Sequence, residues 1–139
     1  MRREFIIILV LVWGAAAQAA IVDVIIEPEE PSISDPISII VSGMEGSGPV
    51  EISNSEFHID GTSLELDLFL QVGFYTMMTP WEYCEDIGML PAGLYELTVW
   101  AYPDYYGPSN YNTTFEVIPE PATLLLIGLG GLALRRQRG

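Results

Sequence analysis

Leu64-Glu65-Leu66-Asp67-Leu68-Phe69-Leu70-Gln71 sets a leucine at every second position for eight residues. Successive side chains of an extended chain point to opposite sides, so this spacing gives one all-leucine face and one largely polar face. The stretch is predicted to be a half-buried β-strand. Just before it, Asp60-Gly61 supplies a hairpin-type turn, preceded by Phe57 and Ile59 alternating with Glu56, His58 and Asp60. Farther out, Ile37, Ile39 and Val41 alternate with Ser38, Ile40 and Ser42 up to Gly43. Val22, Val24 and Ile26 alternate with Asp23 and Ile25 until Pro28 ends the run. On the other side, Tyr95, Leu97, Val99 and Ala101 share one face, and Phe115 with Val117 another. Six or seven strands at about ten-residue intervals, with no helical stripe of useful length, predict an all-β, antiparallel two-sheet sandwich.

Leu90-Pro91-Ala92-Gly93-Leu94-Tyr95-Glu96-Leu97 resembles the tyrosine corner that opens the penultimate strand of immunoglobulin-like sandwiches. The resemblance implies a single immunoglobulin-like or fibronectin-III-like domain over residues 20–118, with a jelly roll as the alternative. In it Gly93 permits the bend and the Tyr95 hydroxyl returns to the backbone. Leu97 stands where antibody domains carry a cysteine. Such an architecture does not fix a function.

The five basic residues lie only at the two ends, Arg2 and Arg3 at one and Arg135, Arg136 and Arg138 at the other. Residues 1–19 have a basic start, the apolar run Phe5 to Trp13 and small residues at Ala17 and Ala19, the three parts of a secretory signal peptide. Nine helical residues span about 14 Å, too short to remain across roughly 30 Å of hydrocarbon. A signal helix cut by signal peptidase is expected, with the body delivered across the inner membrane. Residues 119–139 open with Pro119-Glu120-Pro121, run apolar from Ala122 to Leu134 with glycines at 128, 130 and 131, and end basic. As a short helix the apolar part measures about 20 Å, marginal for a full transmembrane span.

This tail resembles the PEP-CTERM sorting signal of Gram-negative bacteria in Pro119-Glu120-Pro121, the glycine-interrupted run and Arg135-Arg136-Gln137-Arg138. The resemblance implies that an exosortase, a membrane transpeptidase, removes the tail near Pro-Glu-Pro after transient anchoring. It further implies a cell-surface or extracellular-matrix destination associated with exopolysaccharide. It covers about the last twenty residues and says nothing of the body's activity.

Of the 19 acidic residues only Glu4 and Glu120 lie outside the body, which leaves it 17 carboxylates and no Lys or Arg. Such a surface repels phosphate backbones, which excludes nucleic acid as a partner. No cofactor is expected beyond weakly bound calcium, gathered by Glu27, Glu29, Glu30 and Asp35 or by Glu82, Glu85 and Asp86. Neither group has EF-hand spacing. Cys84, the only cysteine, has no partner in the chain. It is expected as a small buried residue, with a bridge between two chains as the alternative.

His58 is the only histidine, and no Gly-x-Ser-x-Gly nucleophile elbow occurs, so a secreted hydrolase is a remote reading. Cys84 with His58 has no local signature of a dyad. Glu56, His58 and Asp60 share a strand face, but its ends are about 13 Å apart, too far to meet at one metal ion. With Tyr95, Leu97 and Val99 inward, Trp100 and Tyr102 point outward, beside a loop carrying Tyr105 and Tyr106. Aromatic faces flanked by carboxylates and amides can stack on sugar rings. The expectation is a non-enzymatic surface or matrix protein, with a small carbohydrate-binding module as the alternative.

Overall fold

The computed structural model describes residues 20–120 and 122–137. The expected signal peptide, with Ala17 and Ala19, lies outside the described residues, as do Pro121 and Arg138. Seven strands come first: β1 (Ala20–Glu27), β2 (Ile37–Glu45), β3 (Gly48–Asp60), β4 (Ser63–Tyr75), β5 (Thr79–Gly88), β6 (Gly93–Pro103) and β7 (Ser109–Val117). Among the described residues one helix, α1 (Ala122–Gln137), closes the order.

The strands form a three-stranded sheet, β1-β2-β5, and a four-stranded sheet, β3-β4-β6-β7. One apolar core lies between them. Leu64, Leu66, Leu68 and Leu70 of β4 with Leu97 and Val99 of β6 face Ile37, Ile39 and Val41 of β2 and Trp81 of β5. Burying each such side chain contributes about 1.5–3 kcal/mol. The all-β sandwich is therefore built on the faces that alternation picks out.

One pairing departs from an all-antiparallel sandwich: β4 and β6 run parallel, with Asp67 opposite Trp100 and Phe69 opposite Tyr102. The route of the chain explains it. After β4 the chain returns along the other sheet as β5, so β6 starts from the end at which β4 started. Lying beside β4, it must point the same way. Strand β5 was not among the runs singled out above. Trp81, Tyr83 and Ile87 do alternate there, but Glu85 occupies the fourth inward position. The Tyr83 hydroxyl donates to the Glu85 carboxylate and lies 2.7 Å from Ser55 Oγ across the sheets.

Bulges account for two further departures. The register of β1 slips between Ile21 and Asp23, which leaves Val22 as an extra residue, exposed rather than inward. A slip between Ile52 and Asn54 switches the inward parity of β3 from Val50 and Ile52 to Ser55 and Phe57. The bulged Ser53 donates to the Phe69 carbonyl at 3.0 Å.

The β3–β4 hairpin turns at Gly61-Thr62, with Asp60 paired to Ser63. Gly61 has φ +61° and Thr62 is not left-handed, as a two-residue turn with glycine in first place requires. The tyrosine-corner expectation holds at its main point: Tyr95 is buried and its hydroxyl donates to the Pro91 carbonyl at 2.7 Å. Its ring stacks on Phe115, centroids 5.5 Å apart. Gly93, however, is not the residue in the left-handed region; Gly88, closing β5 at φ +76°, is. Cys84 is exposed rather than buried. It shares the outward side of β5 with Glu82 and Asp86, because Trp81 and Tyr83 fix the inward parity. Burial first, then the carboxylates of Asp86, Glu27, Glu82 and Glu85, push its thiol pKa up.

Helix α1 is 16 residues, about 24 Å long. Every described side chain from Leu125 to Arg136 is exposed, so none of these packs on the sandwich. Arg135 and Arg136 occupy its last turn, where the helix dipole favours positive charge. Among the described residues no helix is long and apolar enough to cross a membrane.

Candidate functional site

Two places carry functional features, the junction between sandwich and helix and the outer face of the four-stranded sheet. At the junction, the backbone of Ile118 is clamped on both sides by the segment before β2. Ile118 N donates to the Pro31 carbonyl at 2.9 Å, and Ile33 N donates to the Ile118 carbonyl at 3.1 Å. That segment is itself closed by Asp35, whose carboxylate accepts from Ser32 N and Ser32 Oγ, both at 2.8 Å. The two bonds hold the Asp35 pKa below the usual carboxylate value. Ile118 is thus tied to the sandwich by its backbone. Pro119 and Glu120 follow as exposed residues ahead of α1, a short accessible hinge between a folded domain and an apolar helix.

On the outer sheet face, strand register assembles an aromatic strip. Tyr102 of β6 stacks on Phe69 of β4 (5.2 Å, 17° between planes) and on Trp100, two residues back along β6 (6.0 Å, 18°). Three near-parallel stacked rings, all half-buried, make a continuous apolar strip. Trp100 and Tyr102 are the residues expected there; Phe69 is an addition. Tyr105 and Tyr106 belong elsewhere: they lie in the β6–β7 loop, where Tyr105 packs against the exposed Phe74 (5.4 Å) and Tyr106 Oη bonds Ser47 Oγ (2.8 Å). The strip is bordered on β6 and β7 by Thr98, which donates to Asn112 Oδ1 at 2.8 Å, and by Asn110 opposite Trp100.

Beside the strip lies a small polar cluster. Glu56, His58 and Asp67 each offer a ligand atom, and these atoms lie within 4.8 Å of one another. Glu56 and Asp67 are directly paired across β3 and β4, which brings their Cβ atoms to about 5 Å. His58 is the next outward residue along β3, with Nε2 3.7 Å from Glu56 Oε2. The third member is therefore Asp67, from the neighbouring strand, and not Asp60 from the same one. The sequence points elsewhere: a turn at Asp60-Gly61 would set Glu65 opposite Glu56, and the observed turn at Gly61-Thr62 shifts the register by two and brings Asp67 there. Glu56 and His58 are exposed, whereas Asp67, opposite Trp100, is buried and its Oδ1 has no hydrogen-bond partner. Burial first, then the nearby Asp67 carboxylate, push the Tyr102 hydroxyl pKa up.

The two acidic groups suggested for calcium are not gathered. Asp35 is engaged by Ser32, and in the other group Glu85 faces inward while Glu82 and Asp86 face out, Asp86 accepting from Ser38 Oγ at 2.6 Å. Cys84 and His58 lie on the outer faces of different sheets and cannot form a dyad. One buried acid had no sequence signal. Glu45, at the end of β2, is fully buried with neither carboxylate oxygen hydrogen-bonded, and burial pushes its pKa up to about 7. The Trp81 indole lowers it partly, without reaching hydrogen-bond geometry.

No curated protein matches the chain, and neither does any solved structure. Residues 117–138 match the PEP-CTERM protein-sorting motif. That segment begins one residue before the Ile118 clamp and takes in the exposed Pro119-Glu120 hinge and all of α1. The motif implies an exported protein, processed by exosortase and bound for the cell surface or extracellular space of a Gram-negative bacterium.

Proposed function

We propose that this chain is a non-enzymatic surface or matrix protein whose sandwich, once freed of its tail, stays in exopolysaccharide through the Phe69-Tyr102-Trp100 strip. In this reading signal peptidase removes residues 1–19. Helix α1 engages the inner membrane transiently with its arginines toward the cytoplasm, and exosortase cuts at the exposed hinge. A helix whose described leucines, Leu125 to Leu134, are all exposed is consistent with an apolar destination outside the protein.

The observation that carries the polysaccharide reading is the near-parallel stacking of three rings on an outer sheet face with hydroxyl and amide groups at its border. The outer edges of such a stack offer a continuous apolar surface to sugar C–H groups, and amides suit sugar hydroxyls. Affinity electrophoresis of the body in polysaccharide gels tests it, with Trp100→Ala and Tyr102→Ala as controls. Each substitution should weaken retention at least about tenfold, a loss of roughly 1.4 kcal/mol. Retention unchanged in both variants would leave a purely structural body. Mass spectrometry of the mature protein tests the sorting half, by whether residues after the hinge are missing.

A further inference from the structure

We propose that Glu56, His58 and Asp67 form a binding site for one divalent transition-metal ion of the zinc class, on the outer sheet face beside Trp100 and Tyr102. Three features point there. First, an imidazole and two carboxylates on paired strands already bring one ligand atom each within 4.8 Å of the others. Ligands about 2.0–2.1 Å from a tetrahedral ion stand roughly 3.3 Å apart, so a closure of about 1.5 Å completes the set. Glu56 and His58 can supply it, because their side chains are 53% and 62% exposed and free to change rotamer.

Second, Asp67 is only 9% exposed and its Oδ1 accepts no hydrogen bond. A buried carboxylate without a counter-charge is costly. The protein offers little relief: no Lys or Arg occurs between Glu4 and Leu134, and the only histidine lies against Glu56. A bound cation supplies the missing positive charge. Third, the ligand types select the metal. Calcium and magnesium take oxygen sets, whereas an imidazole with carboxylates suits zinc and its neighbours. Three protein ligands at an exposed edge leave a further position to water or to an incoming oxygen ligand. The site stands on these residues alone and does not depend on the polysaccharide reading.

The test uses the full chain in mild detergent with Cys84→Ser to remove the thiol, stripped with a chelator and titrated with zinc by calorimetry. One equivalent should bind. His58→Ala and Asp67→Asn should each weaken binding by at least about tenfold, the cost of losing even a supporting residue of a metal site. Glu29→Gln with Glu30→Gln should leave it unchanged. His58 is exposed and Asn keeps the shape of Asp67 while removing its buried charge, so both variants should fold. With a single histidine, the imidazole NMR resonances report the site directly and should shift with one equivalent of zinc. Failure to saturate at one equivalent, unmoved imidazole resonances, or calcium binding as tight as zinc would each overturn the proposal.

Discussion

Leu64, Leu66, Leu68 and Leu70 of β4 are buried, whereas Leu125, Leu126, Leu129, Leu132 and Leu134 of α1 are each more than half exposed. Both segments are leucine-rich, and the difference lies in period and partner. In β4 a two-residue period puts all four leucines on one side, where a second sheet covers them. In α1 the apolar residues run round the whole helix, so no single protein face could bury them. The body is apolar on the inside for its own sake; the tail is apolar toward surroundings that the protein does not provide. The comparison separates two uses of the hydrophobic effect in one short chain, one for folding and one for addressing.

The contrast can be broken by substitution. Leu66→Ala, in the core and fully buried, should cost about 2–5 kcal/mol of unfolding free energy, read from denaturant midpoints. Next comes the buried acid. The folded pKa of Glu45 lies above its ordinary 4.5, at about 7, so the fold prefers the neutral form. Stability should be fullest below about pH 4.5 and fall as pH rises to about 7, by on the order of 3 kcal/mol. Glu45→Gln should flatten that decline in pH-dependent melting; a decline of the same size in the variant would assign it to other carboxylates.

Tyr95→Phe removes the bond to the Pro91 carbonyl but keeps the ring stack on Phe115, and about 1 kcal/mol should be lost. Leu126→Ala in α1 should move the unfolding midpoint of the body least, by under about 0.5 kcal/mol, because that side chain is 67% exposed. A larger shift would mean that the tail stabilises the sandwich after all, and the separation of roles would fail.

Much of the body was legible because its strands alternate cleanly. The β4 leucines, the β6 face from Tyr95 to Ala101, the turn at Gly61 and the Tyr95 hydroxyl all follow from local period and turn chemistry. Local pattern failed where inward parity was interrupted: at the bulges beside Val22 and Ser53, and in β5, where an inward Glu85 masks the alternation. Cys84 was misplaced for the same reason, since its side of β5 is set by Trp81 and Tyr83 rather than by its own character. At the candidate site, Trp100 and Tyr102 were found from parity, but Phe69 and Asp67 come from the neighbouring strand. Tyr105 and Tyr106 look adjacent only along the chain.

By itself the sequence determined the β class of the body, its acidic character and the sorting tail, because each is written in neighbouring residues. Period, charge and a contiguous motif survive without knowledge of the fold. Only tertiary structure decided that β4 and β6 lie side by side in parallel, and hence that Phe69 meets Tyr102. Only it set Asp67 beside Trp100 and sealed Glu45 from water. The physical reason is that burial and strand neighbours depend on contacts between residues far apart in the chain, which local periodicity does not encode.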